Sequence, residues 1–248
     1  MNYLTYCIFH RPGHQNPGAL SGVDDQPVAL VSHNGLTAAI SGITQPNLLP
    51  DVSRILTYKQ VVEFFHRDRT VIPMRYGCML NGKQQVSRLL EEHSGQYGRI
   101  LGTIKGCVEM GIRILIADEG LEIAELKKNE RQCLFNGDKS RQGGPKSETP
   151  GRAYLSTRKT HYDREDQMDK EFETVLSHFR RAFSGLYIRF KSEFKNHLLS
   201  LYFLVPRDAV KQFRQVFLNI SQDAGTKLLL SGPWPPYNFV MPESKVQG

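Results

Sequence analysis

Cysteine is scarce in this chain and never paired. Cys7, Cys78, Cys107 and Cys133 stand far apart, with no C-x-x-C and no histidine at finger spacing. That spacing speaks against a zinc ribbon and a disulfide framework. Each thiol is expected to act as a small apolar residue, in strands such as "YLTYCIF" and "KGCVEMGIRIL". Long apolar runs are lacking too, and none approaches the ~18–20 residues that span a bilayer. The opening "MNYLTYCIFHRPG" has no basic leader region and reaches His10, Arg11 and Pro12 early. An intracellular protein without a membrane partner is expected.

Catalytic signatures are missing as well. "GQYGRILGTIKG" is glycine-rich but lacks G-x-G-x-x-G, and neither a P-loop nor a G-x-S-x-G elbow occurs. His10 and His14 are four apart, a ligand spacing that needs a helix, and Pro12 and Gly13 lie between them. Asp24-Asp25 and Glu91-Glu92 read as a turn and a solvated helix face, not as a pair with separated pKa values. No catalytic, cofactor-binding or metal-binding residue is expected, and no enzyme.

What is present is ordinary in bulk and uneven in detail. Hydrophobic residues make up 40% and charged residues 23% of the 248, as in a globular protein. The net charge is +7, yet seven Lys or Arg fall between Lys139 and Arg164 against Glu148 and Asp163 alone. The basicity is therefore local, a charged loop rather than a whole nucleic-acid-binding face.

The pattern along the chain predicts an α+β protein of two domains. In the first, residues 1–105, "YLTYCIFH" reads as a strand and "PVALVSHNGLTAAISGI" as a hairpin turning at Asn34-Gly35. Ile55, Tyr58, Val62 and Phe65 recur at helical spacing. "TVIPM" is a short buried strand. A longer helix then carries Val86, Leu89, Leu90, His93, Tyr97, Ile100, Leu101 and Ile104 on one face.

The second domain, residues 106–240, reads β–α–β–β–α–β, a ferredoxin-like order with a helical and linker insertion before its first core helix. "GCVEMGIRILIA" is the first strand, "EGLEIAELKKNERQCLF" is helical by composition, and residues 137–164 form a flexible basic insertion. Met168, Phe172, Val175, Leu176, Phe179 and Phe183 make a wide apolar stripe, closed by Gly185. In "LYIRFK", alternation puts Leu186, Ile188 and Phe190 on one face and Tyr187, Arg189 and Lys191 on the other. "HLLSLYFLVP" is a strand, Val210, Phe213, Phe217 and Ile220 line a helix, and "TKLLLSG" is the last strand. Residues 241–248 are expected to be a disordered tail.

Several functional readings arise from these residues alone. A ferredoxin-like sheet binds RNA when aromatics project from its central strands, and Tyr187, Tyr202, Arg189 and Lys191 are suggestive. The RNA-binding signature sequence is absent, so this stands as the alternative. Arg75 in "TVIPMRYG" could offer a guanidinium to an anion, or stack and pair within the fold. Tyr154 and Leu155 in "AYLSTRK" could lay the insertion back on the fold, seating Arg158 and Lys159. "GPWPPYNFV", Gly232 to Val240, holds the one Trp with three prolines. It reads as a clamp lying back across the fold with Gly232 as hinge, or as a proline-rich partner motif.

Taken in order, "TVIPMRYG", "KGCVEMGIRIL", "GRAYLSTRK", "LYFLVP" and "GPWPPYNFV" resemble the gas vesicle protein F/L family, from the opening strand to Val240. The compact length leans toward the F type. The resemblance implies a non-enzymatic accessory or minor structural protein of gas vesicles, located with the vesicle in the cytoplasm and needing no cofactor. It implies contact with the major shell protein and with other accessory proteins, not with nucleic acid. Partner-contact candidates are Trp234, Tyr237, Phe239, Arg75, Tyr154 and Arg158.

Overall fold

A computed structural model describes residues 1–10, 18, 20–43, 51–115, 172–195, 198–223 and 227–240. Two antiparallel sheets and their helices make up a mixed α/β structure. The first sheet begins with β1 (Asn2–His10) and the hairpin of β2 (Val28–His33) and β3 (Leu36–Ile43). Asn34 and Gly35 turn that hairpin with φ of +46° and +77°, values that Asn and Gly tolerate and a β-branched residue does not. Helix α1 (Val52–Asp68) starts where the Asp51 carboxylate accepts from the Arg54 N–H at 2.9 Å. Short strands β4 (Ile72–Pro73) and β5 (Met79–Asn81) both pair with β1, so the sheet runs β2-β3-β1-β4 with β5 beside β1.

A bulge between Thr5 and Cys7 shifts the alternation of β1. Tyr6 is the extra residue of that bulge, so Leu4 and Tyr6, and then Cys7 and Phe9, share one core with Tyr58, Val61, Val62 and Phe65 of α1. The opposite face packs on α2 (Gly82–Glu92) and α3 (Ser94–Thr103), through Val86, Leu90, Tyr97 and Leu101. With both faces covered, every residue of β3 is buried. The single long helix expected here is two helices. The chain breaks at His93, whose φ of −108° and ψ of 12° leave the helical region, yet its apolar stripe continues across the break.

The second sheet holds β6 (Cys107–Leu115), β7 (Arg189–Lys195), β8 (Leu198–Pro206) and β9 (Leu228–Trp234) in the order β7-β8-β6-β9. Helix α4 (residues 172–182) and helix α5 (Val210–Asp223) cover one face. Val108, Met110, Ile112 and Ile114 of β6 point into that core, where Phe183 stacks on Phe213 at 4.2 Å and meets Phe203 at 5.3 Å. Each such ring contributes about 2–3 kcal/mol by burial. The chain leaves α4 through Gly185 at φ +81°, as its C-terminal glycine requires.

Two strand expectations are corrected. "LYIRFK" becomes strand only at Arg189: Ile188 is exposed, while Leu186 and Tyr187 turn into the helix-covered core, Tyr187 edge-on to Phe203 at 5.2 Å. Alternation cannot hold for residues that precede the strand. The last strand does not stop before the tail either. It runs to Trp234 because a bulge between Glu109 and Gly111 accommodates Gly232, at φ +105°. Gly232 is thus inside the strand and is not a hinge after it. The helical reading of residues 119–135 and the basic insertion 137–164 lie outside the described residues.

Candidate functional site

The face of the second sheet opposite α4 and α5 carries the odd-numbered residues of β6, Glu109, Gly111 and Arg113. Cross-strand register sets Tyr202 between Gly111 and Lys191, and Trp234 beside Glu109. Part of this face is closed by the first sheet, since Leu204 and Cys107 share a core with Ile8, Leu36 and Tyr97. The remainder is a cleft of about 390 Å³, walled by the 234–238 segment and by Lys59 of α1.

The tail owes its position to three side chains. Trp234 is half-buried, with the Lys59 ammonium 4.3 Å from its ring centre, a cation–π contact between β9 and α1. Tyr237 packs on the core between the first sheet and α1. Phe239, 4% exposed, enters the other core of the same sheet, beside Val240. "GPWPPYNFV" therefore lies across the line where the two sheets meet and contributes to both cores of the first. One of its three rings, Trp234, stands on the rim of the cleft, and the other two pack against the cores.

Between them sits a carboxylate. Glu109 is 5% exposed, and the Asn238 backbone N–H and side-chain amide both donate to it. Burial pushes the carboxyl above its ordinary pKa, while the two Asn238 bonds and the Lys191 charge draw it back. In sequence, Glu109 looks like the polar half of an alternating strand. Its partner is far away in the chain, so no local signal marks it.

The remaining candidates fall elsewhere. Arg75 is exposed on the turn after β4 and does not line the cleft. Its neighbour Tyr76 stands edge-on to Tyr58 at 5.3 Å. Tyr154 and Arg158 lie outside the described residues, as does His14. Of the residues weighed for RNA, Tyr202 and Lys191 are direct cross-strand neighbours on the open face, whereas Tyr187 belongs to the opposite core. Among the described residues, no group of three or more His, Cys, Asp or Glu could hold a metal ion, and no helix is long and apolar enough to cross a membrane.

Comparison with known proteins gives one consistent result. Residues 2–241 match the family described as gas vesicle synthesis protein GvpL/GvpF. Gas vesicle protein L1 of Halobacterium salinarum is 23% identical over 252 residues, covering 94% of this chain and 88% of that protein. Gas vesicle protein L of a Streptomyces species is 23% identical over 249 residues, covering 90% and 86%. The fold is that of crystal structures of GvpF from Microcystis aeruginosa (TM-score 0.74, 17% identity, 97% of this chain and 99% of that one) and from Anabaena (0.72, 18%, 97% and 96%). Sequence relatives carry the L name and structural ones the F name, so the assignment rests at the family. The match starts with β1 and ends just past Phe239 and Val240, the residues that close the first sheet: the chain belongs to the gas vesicle GvpL/GvpF family.

Proposed function

We propose that this protein is a non-enzymatic accessory of gas vesicle assembly, working inside the cell through contacts with the major shell protein and other accessory proteins. The family match over residues 2–241, to a family described by gas vesicle synthesis, carries this reading. Its architecture is proposed as two domains, residues 1–105 and 106–240. The second is ferredoxin-like, a reading supported by the strand order β7-β8-β6-β9 with both helices on one face.

Among the partner-contact candidates, Trp234 and Arg75 have side chains that reach the surface, and Tyr237 and Phe239 support the Trp234 segment from beneath. Tyr154 and Arg158 remain candidates within the basic insertion. Deleting everything after Ser231 would remove core residues together with the rim, so single substitutions are the cleaner probe.

The test is to float vesicles by centrifugation, blot the washed fraction for this protein, and repeat a pull-down of the major shell protein with Trp234→Ala and Arg75→Ala. Association in either assay, weakened by one of the variants, is expected. No association in assembling cells or in the pull-down would sink the reading. Steeply salt-dependent retention of RNA by the open face around Tyr202 and Lys191 would replace it with the nucleic-acid alternative.

A further inference from the structure

The two outer strands of the second sheet are built differently. Among the described residues, β7 and β9 each pair on one side only. The β7 edge alternates in Arg189, Lys191, Glu193 and Lys195, the charged pattern that keeps an open edge from pairing. The β9 edge begins with three consecutive leucines and has no charged residue from Leu228 to Trp234. Gly232 and Pro233 end its usable part, because Pro233 has no N–H to offer. The open stretch is Leu228–Ser231.

The leucines of that stretch lie on both faces. Leu229 is 57% exposed on the face it shares with Arg113 and Leu115. Leu228 and Leu230 are half-buried on the helix side. Leu218 of α5, 51% exposed, falls one turn beyond Arg214 on the same side of its helix. Arg214 donates to the Gly232 carbonyl at 3.2 Å, which ties that side of α5 to β9. A strand added here would place alternate side chains against leucines on either face, so it must be apolar on both.

Charge decides between occupants. Exposed Lys227 stands at one end of the open stretch, Arg214 at the other, and Arg113 directly across from Leu229. A second copy pairing antiparallel about Leu229 would set Lys227 across from the copy's Ser231, next to the Gly232 carbonyl that holds the copy's Arg214, so like charges gather at both ends. A segment with acidic ends meets opposite charges there. We infer that the Leu228–Ser231 edge of β9 takes an extended apolar segment of another protein, bounded by acidic residues, as an added strand. This deepens the accessory reading and rests on it for the existence of a protein partner. The binding itself is measurable without vesicles, so it can fail while vesicle association stands.

The experiment titrates the full chain into a short fluorescent peptide of alternating Val and Ile with Glu at both ends. Two counterparts are used, one ending in Lys and one methylated on alternate backbone amides. The Glu-ended peptide should bind about tenfold more tightly than the Lys-ended one, as expected of two or three exposed charge pairs. Backbone methylation should abolish binding, and amide exchange at Leu228–Ser231 should slow in the complex. Leu229→Lys, at an exposed position that leaves the core intact, should weaken binding, and Lys227→Glu should narrow or invert the charge preference. Equal affinity for the two charge forms, or indifference to methylation or to Leu229→Lys, overturns the inference. So does a dimer in sedimentation that Leu229→Lys dissolves, which would give the edge to a second copy.

Discussion

Asn238 holds the Glu109 carboxylate twice, through its backbone N–H to Oε2 at 2.8 Å and its side-chain amide to Oε1 at 2.7 Å. One buried acid on a central strand thereby anchors a segment that shares no local sequence with it.

The acid carries a pH signature. Burial first raises the Glu109 pKa, so the folded protein favours the neutral carboxyl more than the unfolded chain does. Its contribution is fully present below the ordinary carboxylate value and is lost as pH rises through the folded one. Glu109→Gln should remove that loss, making the change in unfolding free energy from about pH 4 to about pH 7 more favourable than in the wild type. Glu109→Ala leaves the Asn238 donors unpaired and should cost about 1–3 kcal/mol in urea melts. Identical pH slopes for the wild type and Glu109→Gln would show that the carboxyl is not the source.

Two glycines near this contact make a matched pair. A Cβ on Gly232 would lie 2.6 Å from the Glu109 carbonyl oxygen, in a backbone already at φ +105°. A Cβ on Gly111 would also meet an atom at 2.6 Å, but that atom is the Ser231 Oγ, which can rotate away. Gly232→Ala should therefore destabilise by about 2 kcal/mol or more, and Gly111→Ala by clearly less. Denaturant midpoints measure both, and equal losses would refute the backbone-contact account.

His66 predicts the opposite pH dependence. Burial, and then the Arg207 charge, lower its pKa to about 4, and neither ring nitrogen has a hydrogen-bond partner among the described residues. The folded state disfavours the imidazolium, so this stability is present above about pH 6.5 and is lost as pH falls toward 4. The loss should reach roughly 3 kcal/mol. His66→Leu keeps the Arg207 bond to the residue 66 carbonyl and should flatten the acid limb of a stability–pH profile. An unchanged acid limb would assign the loss to other groups.

The fold was legible wherever one local rule decided it. Asn34-Gly35 demanded a hairpin, and the Phe172-to-Phe183 stripe with Gly185 demanded a helix and its end. The reading went astray where a rule survives a change in the backbone. The stripe through Val86, Leu90, Tyr97 and Leu101 is continuous although the helix breaks at His93. Alternation in "LYIRFK" is real in the sequence but begins before the strand does. Bulges hid the rest: one lets β9 run through Gly232, and another puts Tyr6 and Cys7 on the same core. Glu109 and Asn238 were not legible at all, because their roles exist only once the two segments meet.

The order of synthesis gives the closing segment a further meaning. β1 and its hairpin leave the ribosome early, while Phe239 and Val240, which share a core with Ile8 and Leu36, emerge only after everything between them. Until then the first sheet has an unfilled apolar floor, and no nascent fragment ending before Phe239 can seal it. Contacts of such long sequence separation form slowly. The interval before that closure is therefore the one in which the first sheet exposes the most apolar surface, the condition that favours aggregation.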